Sequence, residues 1–156
     1  MALTSRRRRP LDHTVPHERD TRLIVIATEG SVTEEQYFDL FESKRVQIKV
    51  LGTEDGKSAP KYVFDRLADY KKDYQLGKDD QLWVMIDVDR WETAHLSEVS
   101  SESLKKKFLM AVSNPCFELW LYLHHGDVRP GCRITADELE EKLRAAMGFY
   151  LSLIHI

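Results

Sequence analysis

Leu82-Trp83-Val84-Met85-Ile86-Asp87-Val88-Asp89-Arg90-Trp91-Glu92 (LWVMIDVDRWE, residues 82–92) is the stretch on which the fold turns. Five apolar residues in a row read as a strand covered on both faces. The run then ends in two aspartates one residue apart, Asp87 and Asp89. A carboxylate costs several kcal/mol to desolvate without a partner, so a pair at the mouth of a buried strand points to a cation there. A turn or a helix cap at a strand end accounts for the pair taken alone. The rest of the chain has to separate the two readings.

The same design recurs upstream. Leu23-Ile24-Val25-Ile26-Ala27 is a second short apolar run, broken by Thr28-Glu29-Gly30. Ser31 and Glu34 have capping-box spacing, and Tyr37, Phe38 and Phe41 follow at helical spacing. Val46 to Leu51 reads as a strand and Gly52 to Lys57 as a loop. Ser58 and Pro60 open a helix with Val63, Phe64, Leu67, Ala68 and Tyr74 on its apolar face, and Gly77 ends the unit. From Trp91 to Ser103 the sequence predicts a loop with one short helix, and Phe108 to Val112 is a fourth apolar run. Asn114-Pro115 is expected to cap a helix carrying Phe117, Leu119, Trp120, Leu121 and Leu123, which stops at Gly126. Thr135 with Glu138 starts a last helix that shows Leu139, Leu143 and Met147. Trp83 and Trp120, within apolar runs, read as core.

Strands alternating with helices imply an α/β fold: a parallel sheet of about four strands with flanking helices on both faces. In such sheets the loops beyond the carboxyl ends of the strands share one edge, where ligands bind. Glu29, Asp87, Asp89 and Asn114 are expected on that edge. Carboxylates from separate loops would then converge.

The totals bound what such a site can serve. With 156 residues the chain suits one domain with a proper core. A formal net charge of −3 argues against bulk binding to polyanions, so any contact with nucleic acid must be local. Cys116 and Cys132 match neither a disulfide framework nor a zinc spacing, which favours a reducing, cytoplasmic setting. No apolar run approaches the roughly 20 residues that span a bilayer, so no membrane partner is expected. Arg6, Arg7, Arg8 and Arg9 have no apolar segment behind them and are not a secretory signal. They read as a solvated leader or as a basic arm touching phosphate backbone, followed by a linker over Pro10 to Asp20.

Hard oxygen ligands suit Mg2+ or Mn2+, ions that keep several waters and bridge to phosphate oxygens. Glu29 beside such an ion could act as general acid or base. Other readings are weaker. Gly52-Thr53-Glu54-Asp55-Gly56-Lys57-Ser58 has three residues between its glycines where a phosphate loop needs four, and two of them are acids. Asp87-Val88-Asp89 is similar to the phosphatase motif of haloacid dehalogenases. Those place it after the first strand and want Thr or Val where Trp91 stands. His124 and His125, at a helix end, most simply meet the helix dipole.

An apolar strand leading into Glu29-Gly30, with a later Asp-x-Asp at a strand end, resembles the TOPRIM module of primases, topoisomerases and OLD-type nucleases. More narrowly, Thr28-Glu29-Gly30-Ser31-Val32-Thr33-Glu34 with Tyr37-Phe38 resembles the first motif of the RloB-like family, and Asp87-Val88-Asp89 its second. Ser113-Asn114-Pro115-Cys116-Phe117-Glu118-Leu119-Trp120-Leu121 resembles its third, the most specific of the set. The resemblance implies a TOPRIM-like, Mg2+-dependent endonuclease of bacterial phage defence, of the abortive-infection kind, with an AAA- or ABC-type ATPase encoded nearby. Glu29 would be the general acid or base, with Gly30 letting the loop pass close to phosphate. Asp87 and Asp89 would hold the metal, and Glu118 could assist a second ion or simply be an acid at a helix start. Asn114 would be an N-cap or a phosphate contact, and Arg6 to Arg9 a nucleic-acid arm. DNA, RNA and tRNA all remain open as substrates. The rival reading is a non-catalytic TOPRIM-like module that binds nucleic acid or an ATPase partner and senses infection.

The organisation expected is a basic leader over 1–20, a TOPRIM-like core over 21–126 and the start of a C-terminal helical extension over 127–150. Leu151 to Ile156, LSLIHI, resembles the translation of a transposon-end adapter used in sequencing libraries, so the natural chain is expected to continue past Tyr150.

Overall fold

Arg22–Ala27 (β1), Val46–Leu51 (β2), Gln81–Asp87 (β3) and Leu109–Ser113 (β4) pair into one all-parallel sheet in the order β2-β1-β3-β4. The structure, a computed structural model, describes residues 21–53, 56–88, 91–129 and 131–148. Five helices follow the strands: Thr33–Asp39 (α1), Pro60–Asp73 (α2), Thr93–Lys106 (α3), Glu118–Leu123 (α4) and Ala136–Met147 (α5). The architecture is α/β and Rossmann-like, as the alternating pattern implies.

Crossovers between parallel strands are right-handed, and this decides where the helices lie. The step from β1 to β2 runs one way along the sheet, and the steps to β3 and β4 run the other way. One face is therefore covered by α2 and α3. There Val25, Ala27, Val84 and Ile86 meet Val63, Phe64 and Leu67 of α2, Val99 of α3 and Phe108. The opposite face carries Ile26 and Met85 under Phe117, with Tyr37 and Phe38 of α1 and Leu121 of α4 packed around them. The strand period of two sends alternate residues of β1 to opposite layers. The last helix, α5, packs on α4, and its Leu139 and Leu143 are fully buried. Thr135 starts it with the reciprocal capping box that its spacing predicts.

Several expectations need correction. The stretch after Trp91 is a 14-residue helix, α3, rather than a loop with one short helix. Its segment Ser97 to Ser103 is rich in serine, which reads as loop. Packing of Leu96, Val99 and Ser103 against α2 and β4 overrides that propensity. Tyr74 is the C-cap of α2 and 58% exposed, so it lies outside the buried face and instead stacks on Tyr70. Trp120 is 45% exposed and is not core, whereas Trp83 packs at the edge of the second layer. The helix α4 begins at Glu118 with Phe117 as its cap. Asn114 is thus too early in the chain to be an N-cap, and it lies exposed in the connecting loop. The Ser31/Glu34 capping box is absent because α1 starts at Thr33, which leaves Glu34 one position short of the box.

Candidate functional site

The reversal of chain direction along the sheet falls between β1 and β3, and a crevice opens at the carboxyl ends of strands where such a reversal occurs. Glu29 lies two residues beyond β1, and Asp87 is the last residue of β3, the strand paired with it. The Asp87 backbone N–H donates to Glu29 Oε1 at 3.1 Å. The two carboxylates singled out in the sequence therefore share one point on the expected edge.

The loop that carries Glu29 is fastened from below. The Thr28 hydroxyl donates to the Gly30 carbonyl at 2.8 Å. From the neighbouring loop, the Thr53 hydroxyl donates to the Glu29 carbonyl at 2.5 Å and the Thr53 N–H to the Gly30 carbonyl at 3.2 Å. Arg66 of α2 reaches beneath both loops, donating to the Thr28 carbonyl at 2.5 Å and to the Lys57 carbonyl at 3.0 Å. Gly52 allows this approach, because a Cβ there would lie 2.8 Å from the Ser31 Cα. Above the loop, the Trp91 indole N–H sits 2.9 Å from each Glu29 oxygen. One donor is thus shared across the fork of the carboxylate.

Asp87 is held in a different way. Its carboxylate accepts the Phe117 backbone N–H and the hydroxyl of Ser113, its register partner on β4. Burial nevertheless pushes its pKa up to about 7, and the charges of Glu29 and Glu118 push the same way. A carboxylate this poorly stabilised by its neighbours gains from a nearby cation.

Glu34 is the acid that the sequence placed in the wrong role. Its side chain turns back to accept the Gly30 N–H at 3.0 Å. A Cβ added at Gly30 would collide with that carboxylate, so Gly30 leaves room for Glu34. Burial raises the Glu34 pKa, and Glu118 adds to the rise. Glu118 in turn bonds the Cys116 thiol, which burial and the adjacent charge keep protonated. Cys116 is therefore no nucleophile. The Glu34 role was hidden by its resemblance to a capping box; a carboxylate four residues after a loop glycine was the available signal. Trp91 had no such signal, since an indole beside Asp-x-Asp reads as packing.

Asp89 and Arg6 to Arg9 lie outside the described residues, as does Leu151 to Ile156. Asn114 is exposed at the same end of the sheet. His124 closes α4, and its Nε2 is 3.0 Å from the Tyr37 hydroxyl, so it serves to tie α4 to α1.

The donor types fit a divalent cation: Asp87 and Glu29 offer adjoining carboxylate oxygens, with Glu118 close enough to raise the Asp87 pKa. Their arrangement is not yet a closed ligand set. Among the described residues no group of three or more His, Cys, Asp or Glu side chains is disposed to hold a metal ion. Among the same residues no helix is long and apolar enough to cross a membrane.

The family model for the RloB-like protein matches residues 24–153. No curated protein and no solved structure matches the chain.

Proposed function

Starting from the fact that this chain belongs to the RloB-like family, we propose that it is a TOPRIM-type nuclease that uses Mg2+ or Mn2+ to hydrolyse nucleic-acid phosphodiester bonds in bacterial anti-phage defence. The observation that carries this reading is the meeting of Glu29 and Asp87 at the switch point, with Asp87 destabilised by burial and by neighbouring carboxylates. A pure binding module gains nothing from acids clustered against a polyanion.

Asp87 and Asp89 would hold the cation, with Glu118 as a possible donor to a second one. When bound, the ion would neutralise the phosphodiester and stabilise the leaving oxygen. The chain's own residues do the rest. Glu29 would take the proton of the attacking water, or return one to the leaving oxygen. Thr53 and Arg66 hold the Glu29 backbone, so the carboxylate approaches phosphorus from a fixed loop. Exposed Asn114 and the arginines Arg6 to Arg9 would contact phosphates, and an AAA- or ABC-type ATPase would be the partner that licenses attack.

The second reading, a non-catalytic sensing module that binds nucleic acid or the ATPase, draws on the engaged state of the Glu29 oxygens. One experiment separates the two. The protein, alone and with the neighbouring ATPase, is incubated with labelled plasmid, single-stranded DNA and total tRNA, in Mn2+ or EDTA, beside Glu29→Ala. Metal-dependent cleavage abolished by that substitution supports the nuclease and names its substrate. Metal binding without cleavage of any substrate supports the sensing module.

A further inference from the structure

A single indole N–H equidistant from the two oxygens of a carboxylate lies on the bisector of that carboxylate. A divalent cation bound by both oxygens would take the same position. Trp91 occupies that position on Glu29, at 2.9 Å from Oε1 and 2.9 Å from Oε2. It does so beside Asp87, whose N–H binds the same Oε1. The geometry therefore gives a reason why no closed ligand set stands ready among the described residues: the fork of Glu29 is already filled by a neutral donor.

We infer that Trp91 is a positioning residue that holds the cation-binding fork of Glu29 until a divalent ion takes it, so that the indole hydrogen bonds and metal ligation by Glu29 exclude each other. The inference rests on the metal-dependent reading above. The indole satisfies Glu29 in the metal-free protein and fixes its rotamer toward Asp87. It also sets a threshold, because the ion must displace a charge-assisted hydrogen bond before Glu29 joins it. Trp91 is half-buried, so the ring can leave without unfolding the core.

Titration calorimetry with Mn2+ alone, on wild type and Trp91→Phe, tests this. Phenylalanine keeps the ring and removes the donor. Loss of a hydrogen bond to a charged group predicts tighter Mn2+ binding by Trp91→Phe, by about tenfold. A purely structural role for Trp91 would weaken binding instead. Equal or weaker binding by a folded Trp91→Phe, with wild type still binding, overturns the inference and leaves the nuclease reading standing. If neither protein binds Mn2+, the metal reading falls and takes this inference with it.

If Trp91→Phe does not fold, the wild-type indole N–H resonance decides, assigned by elimination with Trp83→Phe and Trp120→Phe. Saturating Mg2+ should move that resonance upfield and speed its exchange with solvent. A resonance that ignores saturating Mg2+ overturns the inference.

Discussion

Ser113 faces Asp87 across the β3–β4 ladder, and its hydroxyl donates to the Asp87 carboxylate while accepting the Trp120 indole N–H at 3.2 Å. The indole proton fills the lone-pair side of the hydroxyl and aims the hydroxyl proton at Asp87. A partly exposed tryptophan thereby orients a candidate metal ligand at one remove. Ser113→Ala should weaken Mn2+ binding by about tenfold, since loss of such a supporting partner typically costs 10–100-fold in affinity. Trp120→Phe should do the same more weakly. Calorimetry on the two variants, with thermal melts to confirm folding, reads both effects. Unchanged affinity in Ser113→Ala would show that the hydroxyl does not support the ligand.

The raised pKa of Asp87, about 7, makes the metal-free protein sensitive to pH in a definite direction. An unfolded aspartate titrates near 4, at roughly its ordinary value. Between about 4 and about 7 the folded chain holds more protons than the unfolded one, so stability falls as pH rises through that window. The contribution is fully present below the lower value and lost above the upper one. Glu34, raised by burial, acts in the same direction. Thermal melts in EDTA should therefore show a smaller loss between pH 4 and pH 8 for Asp87→Asn than for wild type. The difference in slope should stay below about 1.4 kcal/mol per pH unit, because solvent reaches the carboxylate. At pH 8 Asp87→Asn should melt above wild type, and parallel curves for the two proteins would contradict the electrostatic picture of the site.

Much of the fold was legible because it is written in local signals. The apolar runs of β1 and β3 need cover on both faces, and Thr135 with Glu138 announces α5 three residues apart. The meeting of Glu29 and Asp87 was legible for a topological reason, since parallel strands send their following loops to one edge. What was hidden depends on long-range contact. The serine-rich α3 becomes helical through packing on α2 and β4, which no local propensity states. Trp91 and Glu29 are 62 residues apart in the chain, and Arg66 is 38 residues from Thr28. Neither pairing leaves a mark on sequence spacing.

The layer between α2 and the sheet should dominate stability. Leu67 is fully buried there, among Val25, Val63, Val84 and Ile86. Leu67→Ala should cost about 2–5 kcal/mol, the lost burial plus the cavity left behind. Leu104→Ala, at a site 75% exposed, should change stability by less than about 0.5 kcal/mol. Urea denaturation of both variants checks the contrast.

The clamp under the Glu29 loop yields the most discriminating prediction. Arg66 spans two loops because a guanidinium presents several donors in one plane, at 2.5 Å to the Thr28 carbonyl and 3.0 Å to the Lys57 carbonyl. Another of its contacts, at 3.4 Å, is to the Thr53 hydroxyl, which itself grips the Glu29 carbonyl. Lysine keeps the charge but cannot serve both carbonyls from one ammonium. Arg66→Lys should therefore lower stability by about 1–2 kcal/mol through the bond it gives up. On the nuclease reading, its effect on turnover should be larger than that on substrate affinity, because a misplaced loop spoils the approach of Glu29 and leaves phosphate contacts elsewhere intact. Thr53→Val should reproduce the turnover defect with a smaller loss of stability, since it cuts only the grip on Glu29. A fall confined to KM in both variants would assign Arg66 and Thr53 to substrate binding instead of to the alignment of Glu29.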